Sequence, residues 1–309
     1  MEKIKIAFLG LGGVGGFYGG MLARRYSGSD SVGIYFIARG EHLEAIKRNG
    51  IRVISDEMDF TAKPDMATDS PEEIGVMDFI ILSTKSYDLA DSIHFVKACI
   101  GKNTIILPLL NGGDITERIR EILPENIIWS GCSYIVSRRI EPGVIKNIGN
   151  YAKLIFGYDR EENQQTENYE KLLREADIDV LLSKNIRESV WKKFYFISVS
   201  ASLTSYFDVG FNELVDTEDR LNMTVGMAEE FLKVAKAEGI DMGENAVEQV
   251  VNRAEILPEG TTTSMHSDFK AGNCTEIETL TGVVVQLAQK HGIYVPLYET
   301  VYKKLTINN

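Results

Sequence analysis

Apolar runs of four to seven residues alternate with helix-spaced patterns along the first 130 positions of the chain. Residues 6–9, 32–37, 76–82 and 104–107 are near-continuous apolar runs, the pattern of strands buried on both faces of a parallel sheet. Residues 87–100 and 113–123 carry helical spacing. Such alternation predicts an α/β domain on a doubly wound sheet. Residues 132–136, 144–148 and 154–156 read as antiparallel strands about a Glu141-Pro142-Gly143 turn, extending the edge of that sheet. A helix over 164–175 and a strand over 179–182 close the domain.

Past residue 185 the pattern turns helical. Leu221, Val225, Ala228, Phe231, Leu232 and Ala235 share one helix face, which stops at Glu238-Gly239. Thr275-Glu276-Ile277-Glu278 has the form of a capping box. It opens a helix with Ile277, Leu280, Val284, Leu287 and Ala288 on its apolar face, ending at His291-Gly292. The chain therefore divides into an α/β domain over 1–184 and an all-helical domain over 185–309, with a ligand cleft expected between them.

Composition narrows the function classes. A length of 309 residues suits two domains, and 44% apolar content supplies their cores. No apolar run approaches the roughly 18 residues of a membrane span, and Met1-Glu2-Lys3 leads straight into the first strand. A net charge of −12 argues against a nucleic-acid surface. Cys99, Cys132 and Cys274 are far apart and odd in number, which suits reduced, buried thiols in the cytoplasm. Four scattered histidines offer no metal-ligand spacing, so no metal is expected.

The segment Gly10-Leu11-Gly12-Gly13-Val14-Gly15 follows the first apolar run directly and opens a helix. Its first glycine suits a tight turn, the second a close backbone approach to a pyrophosphate, and the third close packing of helix on strand. The helix N-terminal amides then face the anion. This is a Rossmann-like dinucleotide site. After the second strand the chain reads Ala38-Arg39-Gly40, with Arg39 where an NAD site usually carries an acid, which favours the 2′-phosphate of NADPH.

Four further segments extend the pattern: Asn111-Gly112-Gly113 after a sheet strand, Gly131 to Gly149 spaced G-x₁₀-P-G-x₅-G, Trp191-Lys192-Lys193-Phe194 opening a helix, and Ser264 twelve residues before Glu276. In this order and spacing, from Ile4 to about Tyr302, the chain resembles the ketopantoate reductase (2-dehydropantoate 2-reductase) family. The resemblance implies NADPH-dependent reduction of 2-dehydropantoate to pantoate on the way to pantothenate and coenzyme A. Another branched 2-oxo acid, or a noncatalytic NADP(H)-binding role, stays open. The partner is a small-molecule 2-oxo acid, and a homodimer stays open as the assembly.

By the same resemblance, the glycine segment, Arg39 and Lys85 hold the cofactor, and Asn111 touches cofactor and substrate. Lys193 is the proton donor and substrate ligand, Ser264 binds substrate, and Glu276 completes the site beside cofactor and catalytic lysine. The residue chemistry agrees, because an alkoxide formed by hydride delivery needs a donor within hydrogen-bond reach. Taken without the resemblance, Lys193 is a surface helix cation, Glu276 a carboxylate at a helix start, Ser264 a cap, Asn111-Gly112 a turn and Lys85 a loop cation. The family's asparagines four and eight residues after the lysine are Ile197 and Ala201 here, and a third falls at Phe211, beside Asn212. Ser200, on the helix face of Lys193, is expected to supply a replacing hydroxyl.

Overall fold

The computed structural model describes residues 3–160 and 165–307, so the expected helix start at Gln164 lies outside the described residues. The strands in chain order are β1 (Ile4–Leu9), β2 (Val32–Ile37), β3 (Ile51–Ile54), β4 (Asp59–Ala62), β5 (Met66–Thr68), β6 (Met77–Leu82), β7 (Ile100–Pro108), β8 (Ile127–Ile128), β9 (Ser130–Glu141), β10 (Val144–Gly157) and β11 (Asp179–Leu182). The helices beside them are α1 (Gly13–Tyr26), α2 (Gly40–Asn49), α3 (Leu89–Phe95), α4 (Ile115–Ile122) and α5 (Gln165–Glu175). Six more follow: α6 (Ile186–Phe207), α7 (Glu218–Ala237), α8 (Ala246–Ile256), α9 (Ser264–Lys270), α10 (Val283–His291) and α11 (Pro296–Ile307).

The chain folds as two units. One holds the residues up to Leu110 together with Ile115–Ile186, and the other holds Asn111–Asp114 together with the residues from Arg187 onward. In the first unit a parallel sheet runs β5-β2-β1-β6-β7-β8. Strand order reverses between β1 and β6, and ligands bind doubly wound sheets beyond the strand ends at that point. Phe8, Phe36, Ile80 and Leu107 on the central strands are fully buried, as a sheet covered on both faces requires.

Four expectations need correction. Cys99 and Cys132 are buried, but Cys274 is exposed, in the loop that follows α9. The strands expected to extend this sheet instead form a long hairpin, β9 with β10, in a second sheet ordered β11-β10-β3-β4. Alternation along one strand names its buried face but not its pairing partner, which is set by non-local contacts. The helix expected over 87–100 is a short α3 flanked by 3₁₀ turns, because Val96 and Cys99 must be buried just before the chain extends into β7 at Ile100. The capping-box segment leads into a π-helical turn, Glu278–Gly282, and the Glu278 carboxylate is turned to the Tyr302 hydroxyl at 2.8 Å.

The second unit packs its helices around Trp191, Phe194, Phe231 and Tyr298. α7 ends as its sequence implies, with Gly239 at φ +75° and Ile240 N–H donating to the Ala235 carbonyl at 2.9 Å. Among the described residues, no helix is long and apolar enough to cross a membrane.

Candidate functional site

β1 delivers the chain to Gly10 at φ +89°, in the left-handed region, where a Cβ would sit 2.8 Å from the backbone of Ser83. A Cβ on Gly15 would lie 2.1 Å from the Gly10 carbonyl and from Ser83 Oγ. These glycines are demanded by the protein's own packing. Gly12 differs, since a Cβ there would meet nothing within 4 Å. It is exposed and caps α1, whose first turn carries no acidic residue, so an anion at this helix end meets no opposing charge from that turn. That is a cradle a phosphate diester fits.

The loop after β6 is bound to the glycine turn: Ser83 N–H donates to the Leu9 carbonyl at 2.9 Å and Ser83 Oγ to the Gly10 carbonyl at 2.9 Å. Lys85, two residues on, is half-buried. Arg39 stands exposed beyond β2, at the N-cap of α2. Because β2 pairs with β1 in parallel register, Leu9 opposite Ile37, Arg39 and the glycine turn leave the same end of adjacent strands.

In the helical unit, α6 begins at Ile186, so Trp191-Lys192-Lys193-Phe194 lies one turn inside the helix and does not open it. The helix phase separates the two lysines. Trp191, Phe194 and Tyr195 are buried against Phe231, and Lys192 points outward to pair with Glu188 one turn back. Lys193 is half-buried and donates from Nζ to Asn111 Oδ1 at 2.8 Å. Asn111 reaches it because segment 111–114 packs on α6 closely enough that a Cβ on Gly113 would lie 2.6 Å from the Phe194 ring.

Phe196 and Ile197, one turn after Lys193, are half-buried. The Phe196 ring lies parallel to Phe211 with centroids 5.9 Å apart, and the Arg253 guanidinium sits 4.5 Å above it. The Phe211 N–H donates to the Thr261 carbonyl at 2.9 Å, which ties this aromatic wall to the segment leading into α9. Ser264 is the exposed first residue of α9, while Thr263 is its cap, accepting from His266 N–H at 3.2 Å. Glu276 is 4% exposed, and its carbonyl accepts from Leu280 N–H at 2.9 Å where the helical segment begins.

Ser200 does not present its hydroxyl as expected. It is 1% exposed and donates to the Phe196 carbonyl at 2.6 Å, the local back-bond of a mid-helix serine. His42, one of the four scattered histidines, carries no functional signal in its spacing. Its one local signal was its place among Leu43 and Ile46 on the apolar face of α2.

The chain matches the family model described as ketopantoate reductase PanE/ApbA over residues 6–161, and the model of that family's C-terminal part over 185–308. The crystal structure of 2-dehydropantoate 2-reductase from Porphyromonas gingivalis W83 is 35% identical with a TM-score of 0.87, covering 98% of this chain and 99% of that one. A 2-dehydropantoate 2-reductase of Streptococcus pyogenes is 30% identical over 275 residues, 87% of this chain and 89% of that protein. A D-mandelate dehydrogenase, solved with NADH and anilino(oxo)acetate, is 25% identical with a TM-score of 0.85, covering 99% of this chain and 98% of that one. The chain is therefore an oxidoreductase belonging to the ketopantoate reductase family.

Proposed function

We propose that this protein reduces a 2-oxo acid to the 2-hydroxy acid with NADPH, and that 2-dehydropantoate is its first candidate substrate. The observation that carries the reading is the Lys193 Nζ to Asn111 Oδ1 bond of 2.8 Å, against the outward pairing of Lys192. When bound, the dihydronicotinamide supplies a hydride to the C2 carbonyl carbon. The Lys193 ammonium donates to the carbonyl oxygen and passes its proton there as the oxygen gains charge, and the lysine is reprotonated from solvent. Asn111 fixes the direction of the ammonium. Ser264 offers an exposed hydroxyl to the substrate, and the buried Glu276 completes the polar set of the site. Gly10 to Gly15 receive the pyrophosphate, with Arg39 and Lys85 at the adenosine end. The open space at Gly12 supports that placement.

A second reading rests on the apolar surface beside Lys193. Phe196, Ile197 and Phe211 offer no partner to a hydroxyl on the substrate side chain, which favours a 2-oxo acid whose side chain is apolar. A relative named D-mandelate dehydrogenase is solved with anilino(oxo)acetate, an oxo acid that carries an aryl ring.

Oxidation of NADPH measured against a panel of 2-oxo acids tests the reading. Lys193→Ala should lower kcat by roughly 10²–10⁴-fold with NADPH affinity kept, while Lys192→Ala stays near the parent enzyme. Turnover of no 2-oxo acid, with NADPH still bound, would leave a binding protein in place of a reductase. Equal losses in the two lysine variants would assign the proton to another group.

A further inference from the structure

His42, in the first turn of α2, is 5% exposed and joins two backbone segments remote from its own helix. The Gly143 N–H, in the β9–β10 turn, donates to its Nδ1 at 2.8 Å. Its Nε2 lies 2.8 Å from the Leu11 carbonyl oxygen. A backbone amide only donates and a carbonyl only accepts, so Nδ1 is bare and Nε2 carries the proton. The ring is neutral and its tautomer is fixed. Burial pushes the imidazole below its ordinary pKa; the Leu11 bond opposes this and the Arg139 charge adds to it.

The Leu11–Gly12 peptide is trans, as are all the described peptide bonds. In a planar trans peptide the carbonyl and the following N–H point in opposite directions. Holding the Leu11 oxygen toward His42 therefore turns the Gly12 N–H away from it. A rotation of that peptide would instead present a carbonyl oxygen to any anion in the cradle.

We propose that His42 is a positioning residue for the dinucleotide: its Nε2–H locks the Leu11–Gly12 peptide so that the Gly12 N–H faces the pyrophosphate. This rests on the cofactor reading above. The same imidazole ties the cradle to the first turn of α2, whose N-cap is Arg39, and so sets the register between pyrophosphate and 2′-phosphate contacts. The glycine spacing makes the turn possible, and His42 selects which of two peptide orientations it adopts.

Two substitutions separate the bonds of the ring. In His42→Asn the side-chain oxygen can replace Nδ1 and still accept from Gly143, but nothing reaches Leu11. In His42→Gln the amide nitrogen takes the place of Nε2 and can still donate to Leu11. Titration of NADPH fluorescence should show a Kd about three- to tenfold higher for His42→Asn, the worth of one lost hydrogen bond, with most of that loss restored in His42→Gln. In turnover the loss should fall on the KM for NADPH and not on kcat. Equal NADPH Kd values for the two variants, or a loss confined to kcat, would overturn the assignment. A parent protein that binds neither NADPH nor NADH would overturn the cofactor reading with it. Should His42→Asn not fold, ¹⁵N shifts of the parent protein decide: an anion at Gly12 polarises the peptide, so NADPH should move the Nε2–H resonance downfield. A resonance that NADPH leaves in place refutes the lock.

Discussion

Arg39 offers the plainest test at the scale of one side chain. The strand end Phe36-Ile37-Ala38-Arg39-Gly40 has no carboxylate to accept from a ribose hydroxyl, and the guanidinium stands exposed at the N-cap of α2. A guanidinium matches a phosphate through charge-assisted bonds and adds nothing comparable for a bare hydroxyl. Arg39→Asp should therefore weaken NADPH by about tenfold or more and NADH far less, read by titrating both nucleotides against parent and variant. Equal losses would remove Arg39 from the 2′-phosphate. Lys193 shows how far one residue can be identified from sequence. Two adjacent lysines look alike in a string, and only the burial of Trp191, Phe194 and Tyr195 fixes the helix phase that sends one to Asn111 and the other to Glu188. Ser200 meets the same limit. A helix face predicts where a Cβ points, but not whether the hydroxyl turns back to its own backbone.

Among elements, the glycine turn was legible because strand, turn and helix are contiguous and each local signal agrees. The β9–β10 hairpin was not, because the sheet a strand joins depends on partners about a hundred residues away, here Ile51–Ile54 of β3. One ion pair secures the far end of that hairpin. Arg120 on α4 is 9% exposed and donates to the Ile128 carbonyl at 3.1 Å, to Glu117 at 2.6 Å and, with both terminal nitrogens, to Asp159 just past β10. Burial raises the Asp159 carboxyl, but the guanidinium outweighs it and holds the group below its ordinary value of 3.8. A depressed folded pKa means that the stabilisation is present above the unfolded value and is lost as pH falls through the folded one. Asp159→Asn should cost about 3 kcal/mol at neutral pH, the lower end for breaking a buried pair, because Arg120 keeps its other partners. Urea unfolding should show the gap between parent and variant narrowing as pH is lowered past the ordinary carboxylate range. A gap that is independent of pH would mean that Asp159 acts through packing alone.

Under the proposed function, the two tasks fall to different units. Gly10 to Gly15, Arg39, Lys85 and His42 belong to the sheet unit, and Asn111, Lys193, Phe196, Ile197, Phe211, Ser264 and Glu276 to the helical one. A chain of net charge −12 must hold anionic ligands through a few local donors, and Asn111 is one that the reading sets against both cofactor and substrate. The sheet unit's task was readable because it is written in one short stretch. The helical unit's task is assembled from segments around 111, 193, 211, 264 and 276, so the chemistry of its wall, the stacked Phe196 and Phe211 under Arg253, emerges only on folding. That wall sets the last prediction. Ketopantoate and 3,3-dimethyl-2-oxobutanoate differ only by a hydroxyl, and a buried hydroxyl left without a partner costs about 1–3 kcal/mol. The parent enzyme's ratio of kcat/KM for these two acids decides between the readings: a ratio favouring the hydroxylated acid supports 2-dehydropantoate, and the reverse supports an apolar substrate. Phe211→Asn places an amide in the wall and should shift that ratio toward ketopantoate by about fivefold or more, whichever acid the parent prefers. Arg39→Asp, acting in the other unit, should lower both rates and leave the ratio alone. A ratio unmoved by Phe211→Asn would take the aromatic wall out of substrate selection, and a ratio moved by Arg39→Asp would show that the two units do not divide the work.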